Sequence, residues 1–138
     1  MKAPIIGTVV LQYPSRYHDY PIDLIRNRFP TLKAEEIHEI DLPILCHASK
    51  NPGAGSTLSI RYCAGETFLE LFALENYIKG FINHMEVRDI EYLVQVVALE
   101  TAHALNVPVE VAATVNLAGL NQRQIVRIGA SPEALSAL

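Results

Sequence analysis

Two stretches of helical period stand back to back in the middle of this chain, and strand-like stretches flank them on both sides. In "FLELFALENYIKGFINH", Leu74, Tyr77, Ile78, Phe81 and Ile82 fall on one face of a helix. Gly80 lies on the opposite side and weakens that helix by about 1 kcal/mol relative to alanine. In "DIEYLVQVVALETAHALN", Ile90, Leu93, Val94, Val97, Ala98, Thr101 and Leu105 form a second stripe, which Asn106 and Pro108 end. Before the helices, "STLSIRYC" alternates Leu58, Ile60 and Tyr62 with polar residues at the period of a half-buried strand. After them, Val109, Val111, Ala113, Val115 and Leu117 alternate in the same way. The turn "AGLN" then leads into a returning strand, "QRQIVRIG". Strands, two helices, then strands imply an α+β layer: an antiparallel four-stranded sheet with consecutive helices on one face.

The N-terminal part is harder to read. "IIGTVVLQY" (Ile5 to Tyr13) reads as a strand because it is short and β-branched. Pro14, Pro21 and Pro30 punctuate the next stretch, in which Ile22, Leu24, Ile25 and Phe29 suggest one or two helical turns. "EEIHEIDLPIL" is a further strand candidate, although Ile37 and Ile40 do not alternate strictly. The expected organisation is an extension over residues 1–43, a core over 44–130 and a tail over 131–138, the tail a frayed helical end.

With 138 residues, the chain is one domain's worth, and at 50% hydrophobic it has material for a core. Only 19% of residues are charged, which favours burial of further surface in a homo-oligomer. Unpaired sheet edges favour the same outcome, as a ring or barrel. A formal net charge of −4 argues against a general phosphate-backbone binder, while a local basic patch for a folded RNA stays open. Gly7, Gln12 and Pro14 interrupt the apolar start, so no signal or membrane segment is expected there. Two cysteines, Cys46 and Cys63, suit a cytoplasmic protein with both thiols reduced.

Cys46 ends the apolar run "LPILC" and precedes the polar, glycine-rich "HASKNPGAGST". It reads either as a small buried residue at a strand end or as a nucleophile, with His47 and Lys50 near enough in sequence to favour the thiolate. Cys63 has no such neighbours. The five histidines show no metal-ligand spacing, and "NPGAGST" is not a phosphate loop, so neither a metal nor a nucleotide site is expected. Glu70, Asp89 and Glu91 stand at helix starts, where the dipole favours a carboxylate. Each either stabilises its helix or accepts paired N–H bonds from the edge of a guanine-like or pterin-like ring.

The run "IRYCAGETFLELFALENYIKGFINH" (Ile60 to His84) resembles the central segment of the 7-cyano-7-deazaguanine nitrile reductases of queuosine biosynthesis, members of the tunnelling-fold (T-fold) superfamily. Ile60, Tyr62, Glu70, Leu74, Tyr77, Phe81, Asn83 and His84 fit that family's pattern without a gap. "LC" at Leu45-Cys46 and "VEV" followed by "NLAGL" extend the likeness from about Leu45 to Gly129. The resemblance implies a ββααββ fold whose subunits join in a barrel. It implies Cys46 as the nucleophile that turns a nitrile into a thioimide, Glu70 at the base-binding site, and Asp89 or Glu91 as the base anchor. Where the family places lysines and a serine for NADPH, this chain has Leu71, Phe72, Ala73 and Glu75. Gly53 stands in place of the family's proton-donating Asp, leaving His47 or Lys50 to move a proton. No cofactor is therefore expected. The implied activity is closer to the related archaeal amidinotransferases, which add ammonia to the same kind of nitrile on a tRNA base without a nicotinamide. The implied partners are a small heterocyclic base, or a tRNA carrying it, and no membrane. An NADPH-dependent reductase and a non-catalytic T-fold module are the alternatives.

Overall fold

A computed structural model describes residues 9–138 as a mixed α+β protein with two helices and two antiparallel sheets. The elements run β1 (Val9–Tyr13), β2 (Ile22–Arg26), β3 (Glu35–Asp41), β4 (Thr57–Cys63), β5 (Thr67–Leu69), α1 (Leu71–Lys79), α2 (Ile90–Leu105), β6 (Val109–Asn116) and β7 (Arg123–Ala130). The larger sheet has the order β3-β4-β6-β7 and the smaller one β1-β2-β5.

The larger sheet follows from period two. Leu58, Ile60 and Tyr62 on β4 are buried, as are Val109, Val111, Ala113 and Val115 on β6. Pairing Leu58 with Ala113 and Ile60 with Val111 puts these side chains on one face. A fully buried side chain of this kind contributes about 1.5–3 kcal/mol. Helix α2 packs across β6 and β7 on one side and reaches β2 and β5 on the other. That position explains why its buried residues exceed one stripe. Val96, Glu100, Ala102 and Ala104 are buried as well as the expected Leu93, Val94, Val97, Ala98, Thr101 and Leu105. A helix apolar nearly all round is one enclosed on more than one side. Asn106, at φ 58°, closes it in the left-handed conformation.

The smaller sheet departs from the sequence expectation. Residues Ile22 to Arg26 form a strand rather than helical turns, because Ile22 and Leu24 alternate with Asp23 and are both buried. Phe68 and Leu69 pair with Ile25 and Leu24 instead of opening the helix. The expected first strand is found from Val9 to Tyr13, and Ile5 to Thr8 lie outside the described residues. Both sheets draw strands from either side of residues 43 and 44. The C-terminal tail is a series of turns, anchored by the buried Leu135, rather than a frayed helix.

Two polar side chains join the layers. The Tyr62 hydroxyl donates to Glu36 on β3 and accepts the Leu69 N–H of β5 at 2.9 Å, which links the sheets. Glu100, fully buried on α2, accepts from the Ser15 and Tyr77 hydroxyls and the Arg16 N–H, each at 2.8 Å. No helix among the described residues is long and apolar enough to cross a membrane.

Candidate functional site

The glycine-rich segment after Cys46 is held against the end of β6. The Gly53 N–H donates to the Asn116 carbonyl at 2.7 Å, and a Cβ at residue 53 would lie 2.9 Å from that oxygen. Only glycine permits this approach without a shift. Ser56 Oγ accepts the Asn116 N–H, and Asn51 Oδ1 accepts the Ala118 N–H. Upstream, the N–H groups of Leu45 and Cys46 both donate to the Asn51 carbonyl at 2.9 Å. The loop thus closes on itself and presents residues 46–50 as a single turn, with the Lys50 N–H bonded to the Cys46 carbonyl at 2.9 Å.

Within that turn Cys46 behaves as a cap. Its Sγ accepts the Ser49 N–H at 3.4 Å, the geometry by which a side chain satisfies the third donor of a helical turn. The Ser49 hydroxyl and N–H lower the Cys46 pKa below the ordinary thiol value; burial opposes them, and the Ala48 N–H and the charge of Arg88 add smaller lowering effects. The thiolate is the nucleophilic form, so these donors favour reactivity.

Cys46 lines a cleft of about 440 Å³, a size suited to a small organic ligand. Leu45, Cys46, Ser49 and Pro52 line one side of it. The α1–α2 connection and the first turn of α2 line another, through Phe81, Asn83, Arg88, Asp89 and Glu91. Val115, Leu117 and Gln124 of β6, its loop and β7 complete it. Asp89 caps α2, its Oδ1 accepting the Tyr92 N–H at 2.7 Å. His84 is also in the wall, but both ring nitrogens are engaged. Nε2 meets the Tyr17 carbonyl at 2.8 Å, and Nδ1 accepts the N–H groups of Glu86 and Val87. That arrangement requires the proton on Nε2 and leaves His84 no site for proton exchange with a ligand.

Of the six residues singled out in the sequence, Cys46, Asp89 and Glu91 line this common cleft. His47 and Lys50 are exposed and do not line it; the His47 Nδ1 is bonded to Asn83 at 2.9 Å. Glu70 is also outside it. That side chain is 2% exposed and caps α1, with its carboxylate accepting the N–H groups of Phe72 and Ala73. Sequence reasoning did not find Ser49, Arg88 or Gln124. Ser49, three residues after Cys46, has the spacing of a cap and its N3 donor, and this spacing was its one signal. Among the described residues no group of three or more His, Cys, Asp or Glu side chains is placed to hold a metal ion. A comparison with protein-family models gave no match to this chain, and a comparison with curated proteins gave none either.

Proposed function

We propose that the chain is a T-fold enzyme that attacks the nitrile carbon of a 7-deazaguanine-type base, or the equivalent carbon of a related purine or pterin, with Cys46. The observation that carries this reading is one cleft holding a thiol of lowered pKa together with two carboxylates at a helix start. Asp89 and Glu91 suit the donor edge of a guanine-like ring, because a carboxylate accepts two parallel N–H bonds. Leu45 and Leu117, half-buried in the same lining, suit a flat apolar face. The sheet order β3-β4-β6-β7, with both helices falling between β4 and β6 in the chain, is compatible with the ββααββ arrangement. Its two edge strands, β3 and β7, offer places for copies to join in a ring.

The chemistry balances without a redox partner. The sulfur bonds to the nitrile carbon, one C–N π bond opens, and the thiol proton ends on the nitrogen as a thioimide. Ammonia then attacks the same carbon, the C–S bond breaks, and an amidine leaves while the thiol is restored. No nicotinamide takes part.

Intact-protein mass spectrometry after incubation with 7-cyano-7-deazaguanine tests this reading. The expected result is a mass increase of one base per chain, absent in Cys46→Ala and not accompanied by NADPH oxidation. Oxidation of NADPH in the same mixture would make the protein a nitrile reductase instead. Absence of any adduct would make it a binding or assembly module.

A further inference from the structure

Asn83 lies in the α1–α2 connection with φ 53°, in the left-handed region that asparagine tolerates better than most residues. Three hydrogen bonds join it to the two residues that flank Cys46. The Asn83 N–H donates to the Leu45 carbonyl at 2.7 Å. The His47 N–H donates to Asn83 Oδ1 at 3.0 Å. Asn83 Nδ2 donates to His47 Nδ1 at 2.9 Å. All three distances are those of well-formed bonds. They span the sulfur-bearing residue from both sides and fix it to the opposite wall of the cleft, the wall that carries Arg88, Asp89 and Glu91. The left-handed turn at Asn83 directs both its backbone and its side chain at one short segment.

We infer that Asn83 is the positioning residue of the Cys46 turn: it holds the backbone that aims the Ser49 N–H at the sulfur, and so sets the reactivity of the thiol. It acts through His47 and Leu45, without touching a ligand. This also gives His47 a role. With Nδ1 engaged by Asn83, the ring helps hold the turn in place. The inference deepens the proposed function and rests on Cys46 being its working atom.

Iodoacetamide alkylation, followed by peptide mass spectrometry as a function of pH, tests it without any base. Cys63, exposed at the end of β4, is an internal control in the same molecule. In Asn83→Ala the titration of Cys46 should move up toward the ordinary thiol value, slowing alkylation at neutral pH about threefold, while Cys63 is unchanged. Asn83→Gly keeps the left-handed backbone and loses both side-chain bonds, and should slow Cys46 equally. An unchanged Cys46 profile in a folded Asn83→Gly protein would overturn the inference. In the unmutated protein, hydrogen exchange reads the same clamp: the His47 amide should be protected although the residue is exposed, and exchange at the free-peptide rate would overturn it as well. Failure to form an adduct with the base would leave these outcomes standing, so the two tests separate.

Discussion

Glu100 shows how one residue can decide the packing of three segments. It sits fully buried on α2, and a lone buried carboxylate would be costly. Here the Ser15 and Tyr77 hydroxyls and the Arg16 N–H all donate to it. Burial, and then the adjoining Glu100, push the Tyr77 phenol well above its ordinary pKa, so it stays a donor. Glutamine has the same shape but only one acceptor oxygen. In Glu100→Gln an NH2 group must face either the Arg16 N–H or the two hydroxyls, leaving a buried donor without an acceptor. We expect a loss of about 1–3 kcal/mol in urea unfolding with an unchanged slope. Stability equal to the parent would mean that the three donors are satisfied elsewhere.

At the scale of elements, the end of α1 depends on a single missing methyl group. Gly80 caps the helix, and a Cβ there would lie 2.5 Å from the His18 ring. The sequence suggests that alanine would strengthen the helix by about 1 kcal/mol. The structure reverses the sign, because the clash with a ring packed on Tyr77 and Phe81 outweighs propensity. Gly80→Ala should destabilise by about 1–3 kcal/mol, and His18→Ala in the same chain should return part of it, a coupling that a double-mutant cycle measures. The elements legible in the sequence, β4, α2, β6 and β7, each carry their own period in a long run. The smaller sheet does not. Thr67 to Leu69 make a three-residue strand only because Ile25 and Leu24 lie alongside, and in sequence Phe68 and Leu69 simply continue the apolar pattern of α1. The site divides in the same way. Cys46 before a loop and Asp89 before a helix are local signals, and both line the cleft. Glu70 gave the same local signal as Asp89, but its helix starts beside β2, where its N–H meets the Asp23 carbonyl. Arg88 and Asn83 join the site only because the α1–α2 connection folds back over Cys46, which no spacing in the chain announces.

Over the whole molecule, two titrating groups in different layers push stability the same way with pH. Burial lowers the pKa of His18 below 6.5, while the Tyr77 carbonyl lies nearby without a bond of good geometry to the buried Nε2. The charged groups around it, Glu100 and Asp19, pull it up, and His84 pushes it down further. Between that lowered value and 6.5 the unfolded chain binds a proton that the native protein does not, so stability falls as pH falls through this window. Glu36 sits lower on the scale. Partial burial raises its pKa, but the bonds from His38 and the Tyr62 hydroxyl outweigh this and bring it below 4.5. Its contribution is complete above 4.5 and is lost as pH falls through the native value. On acidification the α1 contact through His18 therefore weakens first and the link between the sheets through Tyr62 and Glu36 second. Urea midpoints measured from neutral pH downward should fall in two stages. His18→Gln should flatten the upper stage and leave the lower, while Glu36→Gln should flatten the lower and leave the upper. A midpoint constant through both windows, or one rising toward acid, would contradict both assignments.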